Sequence, residues 1–220
     1  MRNNKLTIAL GALLVLASIL IGIRIYDQLP EQMASHWNGK GQVDDTMTKF
    51  WGTFLIPIVN VAMLLMFMVL PLIDPLRKNI QQFRKYYNGF ILLMVVFLTY
   101  VHFLTLAWNV GLHYNMENFI FPAIAILFFY IGDMLRHSKR NWFIGIRNPW
   151  TLSSDYVWEK TNTLGGYLFM IFGLLMIVSL FLTWNFLIFI IIAIVVMMLA
   201  LVVYSYVLYR KEEKATNVVT

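Results

Sequence analysis

Apolar residues along the chain fall into six long runs, about Leu6–Ile25, Phe50–Ile73, Gly89–Trp108, Phe119–Leu135, Leu164–Trp184 and Phe186–Tyr209, with polar residues collected between them. Each run is close to the ~20 residues that carry a helix across a hydrocarbon core. The runs lack the in/out alternation of barrel strands. Backbone groups in hydrocarbon must be satisfied within the protein, so helices are the remaining way across. The pattern predicts an all-α polytopic membrane protein with six transmembrane helices. Phe119–Leu135 is the shortest run; without it, the flanking Lys and Arg clusters would fall on opposite sides. The last two runs are joined by little more than Thr183–Asn185, which implies an antiparallel hairpin of helices. The first run reads as an uncleaved anchor, being long for a signal peptide and lacking a small-x-small cleavage site before Arg24.

Composition supports this class, since 60% hydrophobic and 13% charged residues are unlike a soluble domain. The absence of cysteine excludes a disulfide framework, a thiolate metal site and a thiol nucleophile. Charge adds an orientation. Of the 17 Lys and Arg residues, all but Arg24, Lys40 and Lys49 lie in the N-terminal segment, the loops 74–87 and 136–163, and the tail. Alternate crossings put those four segments on one side, and the positive-inside rule makes that side, with both termini, cytoplasmic. Topology accounts for the net charge of +6, and direct nucleic-acid binding is not expected. The chain divides into residues 1–75, a first helix pair with its outer loop, and residues 76–220, a four-helix region.

The largest outer segment is Tyr26–Asp45. Asn38, Gly39 and Gly41 tolerate positive φ, so the chain reverses there, and Trp37 and Trp51 fit headgroup-level anchors. His36 with Glu31, Asp44, Asp45 and His113 raises the question of a metal, but the characteristic ligand spacings are missing, and no metal or cofactor is expected. Structural hydrogen bonding and contact with a ligand or peptide both stay open for His36. In the third run Thr99, His102, Thr105 and Asn109 recur at steps of 3, 3 and 4 on one inward face. His102 should lie ~9 Å below the outer interface. It is either a hydrogen-bonded structural residue, part of a ligand-facing cavity, or a proton relay. Asn60 is its expected packing neighbour, beside a kink at Pro57.

Between the fourth and fifth runs, Ile144–Trp158 interrupts the apolar pattern. Gly145 permits a tight path, and Pro149 biases Asn148 towards an extended backbone. Ser153 or Ser154 is placed to cap a short interfacial helix starting near Asp155. On that helix Val157 and Trp158 would meet lipid or neighbouring helices, with Glu159 and Lys160 in water. Arg147 would pair with lipid phosphate or with Asp155. An anchor between two spans and a docking surface are both consistent with such a segment. Catalysis is not expected: no base-activated nucleophile is evident, and Asp133 lacks a second aspartate at membrane depth.

The order Leu29, Pro30, His36, Trp37, Asn38, Gly41 and Asp44 resembles a short extracytoplasmic domain of unknown function found after the first span of many prokaryotic membrane proteins; Ala34 stands where proline is common. Asn141, Ile144–Arg147, Pro149–Leu152 and Trp158 resemble the cytoplasmic signature of the SdpI family, with Asn148 where threonine is usual. Together with the six-span frame, the resemblance covers essentially the whole chain. It implies a protein of the prokaryotic plasma membrane that gives immunity to a secreted antimicrobial peptide toxin and recruits a winged-helix transcriptional repressor. On this reading His36, Trp37, Asn38, Asp44, Thr99, His102 and Thr105 are candidates for toxin sensing. Gly145, Arg147, Asn148, Pro149, Trp150, Thr151, Asp155 and Trp158 are candidates for cytoplasmic docking. A small transporter using the polar face of the third span and a structural accessory subunit are the alternatives. The lipid bilayer is a partner on every reading, and homo-oligomerisation stays open.

Overall fold

The structure, a computed structural model, describes residues 2–38, 41–182 and 185–219. Among these residues are eight α-helices and one two-stranded antiparallel sheet. Helix α1 (Arg2–Ile25) leads through a 3-10 turn to strands β1 (Gln32–Trp37) and β2 (Val43–Thr48). Next come α2 (Lys49–Ile73), the short α3 (Arg77–Gln82), α4 (Arg84–Asn109) and α5 (Glu117–His137). The chain ends with α6 (Pro149–Ser153), α7 (Asp155–Ser179) and α8 (Asn185–Val219). Helices α1, α2, α4, α5, α7 and α8 are long and apolar enough to cross a membrane. The molecule is therefore a multi-pass helical membrane protein. Its exposed large side chains, such as Leu13, Leu72, Phe189 and Leu199, lie along the spans, where lipid takes the place of water.

The shortest span is a full one, since the 21 residues of α5 rise ~31 Å. Two helix limits differ most from the apolar runs, the start of α7 and the end of α8. Helix α7 begins at Asp155, well before Leu164, because its first turns are amphipathic: Val157, Trp158, Thr161 and Asn162 are buried, while Tyr156, Glu159 and Lys160 are exposed. The short helix of this loop is α6, not a helix beginning near Asp155; Asp155 opens the long helix, which Ser154 caps by accepting from the Val157 N–H. Helix α8 has 35 residues, ~52 Å, so its last turns outrun the bilayer core. Thr183 and Trp184, between α7 and α8, lie outside the described residues.

The chain forms two compact units. The first comprises Met1–Val69 and Asn88–Ala123, and holds α1, most of α2 and α4, the strands and the start of α5. Close helix approach depends on small residues: a Cβ on Gly22 would stand 2.9 Å from Thr53 Cγ2. The segment after α1, expected only to reverse direction, is a β-hairpin. It pairs Gln32 with Thr48, Met33 with Met47 and Ala34 with Thr46, then shifts to His36 opposite Asp45 and Trp37 opposite Val43. Gly41 has φ +71° in the turn, and Gly39 lies outside the described residues. Met33 is fully buried with Leu29 and Leu106, and Ile25 packs against them.

The second unit comprises Leu70–Tyr87 and Ile124–Thr220. Here α5 and α7 touch through backbone, since a Cβ on Gly132 would stand 2.5 Å from the Gly166 carbonyl oxygen. Ile80, Phe83 and Tyr87 supply a buried apolar base beside α3.

Candidate functional site

The hairpin collects the expected outer residues. His36 pairs through Nδ1 with the carboxylate of Asp44, and both side chains are exposed. Trp37 packs edge-on against Trp108 at 5.6 Å, and Trp108 packs against His113 at 4.5 Å. The Trp37 indole N–H is shielded and has no hydrogen-bond partner among the described residues. Asn38 tightens the turn by accepting from the Gln42 N–H at 3.1 Å. Glu31 pairs with Lys49, and Asp45 accepts from the Thr46 N–H, so these carboxylates do not converge on His36. No group of three or more metal-ligating side chains occurs among the described residues.

The polar stripe of α4 turns inward, as its spacing implies, and ties α4 to other elements through Thr99, His102 and Asn109. His102 is wholly buried. A carbonyl only accepts, so the 2.9 Å contact with the Thr53 carbonyl puts the ring proton on Nε2; Nδ1 then accepts from the Ser18 hydroxyl at 2.7 Å. One imidazole thus ties α1, α2 and α4 together. Asn60 donates to Thr99 Oγ1 and to the Val95 carbonyl, both at 3.2 Å, and so meets the stripe at Thr99. Thr105 bonds within its own helix, to Val101. Asn109 grips the hairpin by accepting from the Ala34 N–H at 2.8 Å and donating to the Ala34 carbonyl at 3.1 Å. Ser18, although paired with a histidine, is 1% exposed and sealed from any substrate.

The loop before α7 folds into a knot of side-chain to backbone bonds. Buried Asn141 accepts from the N–H groups of Phe143 and Ile144 and donates to the carbonyls of Lys139 and Ile144. Gly145, at φ +123°, passes beneath the Trp158 ring and Asn162. Asn162 accepts from the Ile146 N–H at 2.8 Å, and the Trp158 indole donates to the Ser138 carbonyl at 3.1 Å. Asp74, from the other loop of this unit, accepts from the Trp142 N–H at 3.0 Å. Asn148 caps α6 by accepting at its side-chain oxygen from the N–H groups of Trp150 and Thr151, donates its own backbone N–H to Thr151 Oγ1 in return, and donates through its side-chain amide to Ser205 on α8. Trp150 packs on Tyr206 at 5.1 Å.

Of the eight candidate docking residues, Thr151 and Trp158 are buried, Gly145, Asn148 and Trp150 are half-buried, and Arg147, Pro149 and Asp155 are exposed. Arg147 does not pair with Asp155: its guanidinium donates to the Trp142 carbonyl, and Asp155 lies 2.8 Å from Arg140 Nε. Asp74, Ser138, Arg140 and Asn162 were not singled out from the sequence. Nothing in their local pattern distinguishes them, because their partners are reached only through the fold.

Comparison with known proteins bears on both segments. The model of the SdpI/YfhL protein family matches residues 138–205, and that of a domain of unknown function (DUF1648) matches residues 13–61. The chain is 28% identical over 214 residues to Immunity protein SdpI of Bacillus subtilis (strain 168), which spans 97% of this chain and 98% of that protein. No solved structure matches the chain. The first family match contains the loop knot and α6; the second contains the hairpin, Ser18, Thr53 and Asn60.

Proposed function

The chain belongs to the SdpI family of membrane proteins, and from that premise we propose that it protects its cell against a secreted peptide toxin and signals the toxin's presence to a winged-helix repressor. The observation that carries the proposal is the likeness to an immunity protein along nearly the full length of both chains. The basic loops and both termini are assigned to the cytoplasm of a prokaryotic cell by the distribution of Lys and Arg. The hairpin then faces outward, and His36, Trp37, Asn38 and Asp44 are the residues assigned to the toxin. Arg147, Pro149 and Asp155 are the members of the inner motif whose side chains reach water, and the repressor is assigned to that side.

The polar stripe serves this reading as a rigid support for the hairpin. Toxin binding reaches the inner face only if the toxin has different affinities for two arrangements of the helices. The test is expression in a toxin-sensitive bacterium grown beside toxin-secreting cells, with a reporter for the repressor's target. The proposal expects survival with the chain and loss of survival in His36→Ala with Trp37→Ala at unchanged membrane abundance. Absence of protection from every secreted peptide toxin encoded near the gene contradicts it.

A further inference from the structure

Three arginines follow one another at the end of α5 and in the loop behind it, and Arg136 differs from the other two. Arg140 and Arg147 give guanidinium protons to the Leu152 and Trp142 carbonyls. The Arg136 guanidinium makes no hydrogen bond among the described residues. Its Nε is shielded and unpartnered, and the one carboxylate near it, Asp133, stands 3.8 Å from Nη1 and is shared with His137. Packing holds the side chain instead. Its stem lies on Gly166, where an added Cβ would stand 2.5 Å from Arg136 Cγ, and its guanidinium lies over the Tyr167 ring at 4.4 Å. With Nε covered and the side chain 31% exposed, the terminal nitrogens are the donors left for an acceptor outside the protein.

We propose that Arg136 and Tyr167 bind the phosphate of an anionic phospholipid. Arg136 lies in the last turn of α5, whose 21 residues span about the thickness of a bilayer core, so its guanidinium stands at the level of the headgroups, where tyrosine also collects. A guanidinium already fixed by packing offers parallel N–H donors to a phosphate with little further loss of side-chain freedom. An apolar track runs from the pair into the hydrocarbon. Phe129 and Ile126 follow Arg136 back along α5, Ile171 and Leu174 follow Tyr167 along α7, and all four are exposed. Phe129 marks the seam between the two helices, since a Cβ on Gly173 would lie 2.9 Å from its ring. A free phosphate gains nothing from such a track, whereas a phospholipid lays an acyl chain along it. Charge selects the anionic headgroup, because the loops 74–87 and 136–163 carry a large excess of Lys and Arg over their carboxylates Asp74, Asp155 and Glu159.

The experiment titrates the delipidated full chain in detergent with phosphatidylglycerol or phosphatidylcholine and resolves the lipid-bound forms by native mass spectrometry. Phosphatidylglycerol is expected to bind saturably and phosphatidylcholine about fivefold more weakly. Arg136→Gln should weaken phosphatidylglycerol about tenfold, the worth of one charge-assisted pair. Arg136→Lys keeps the charge without the planar fork and should lose about threefold, so it decides the matter if the glutamine variant does not fold. Arg77→Gln, at an exposed arginine of α3, should change nothing. Excess glycerol phosphate should leave the lipid in place. Phosphatidylglycerol binding that ignores both Arg136 substitutions, or that Arg77→Gln weakens as much, overturns the proposal. Displacement by glycerol phosphate would make the site one for a free phosphate, and equal affinity for the two lipids would remove the selection for negative charge; either result also overturns it.

Discussion

Gly145 shows how much of the second unit hangs on one residue without a side chain. At φ +123° it lets the loop pass under Trp158, and an added Cβ would lie 2.8 Å from both the Trp158 ring and Asn162 Oδ1. Those two side chains carry bonds that fasten the loop, to the Ser138 carbonyl and the Ile146 N–H. Gly111 is the natural control, for its φ is +104° but nothing lies within 4 Å of its would-be Cβ. Gly111→Ala meets backbone strain alone, about 1 kcal/mol, whereas Gly145→Ala adds steric displacement and loses about 3 kcal/mol. Thermal unfolding of the two variants in the same detergent should rank them in that order, and equal losses would contradict the knot. Arg147 shows the reverse case. Its charge marks it as a surface group in the sequence, and it is one, but its partner within the protein is the Trp142 carbonyl and not Asp155, one of the two partners expected for it.

The spans were legible as elements because lipid demands a long apolar run, and that demand is written locally. Where burial is shared with other parts of the protein, the local record is weaker. Strand β2 is exposed along most of its length and carries Asp44 and Asp45 beside two threonines among its six residues, so apolar alternation does not announce it and the two aspartates weaken its β propensity. The hairpin exists through contacts distant in sequence, with Met33 buried against Leu106 and Ala34 held by Asn109. The first turns of α7 escaped the apolar reading for a related reason: they bury one face against protein and show the other to water. The inward face of α4 was legible from its spacing, but the fact that His102 joins three helices was not, because Ser18 and Thr53 are placed only by the fold. That junction makes a prediction about helix pairs. Ser18→Ala and His102→Leu should each lower stability, and the double variant should lose less than the two losses combined, by about 1 kcal/mol. Protection per folded molecule should be unchanged in all three. Additive losses would mean that the bond does not couple α1 to α4; normal abundance with lost protection would return His102 to a ligand-facing role.

Across the molecule, the two family matches fall on different units, residues 13–61 in the first and 138–205 in the second. The proposed division of labour puts the hairpin outside the cell and the loop knot in the cytoplasm. The cysteine-free chain allows this to be read with single introduced thiols. Ser138 is a poor site despite its place in a polar loop, being 4% exposed with its hydroxyl bonded to the Leu135 carbonyl. Gln42 in the hairpin turn and Lys160 on α7 are both exposed. A membrane-impermeant maleimide applied to intact cells should label Gln42→Cys, and label Lys160→Cys only after permeabilisation. Labelling of Lys160→Cys in intact cells with Gln42→Cys protected would invert the protein and contradict the assignment of toxin and repressor to their faces.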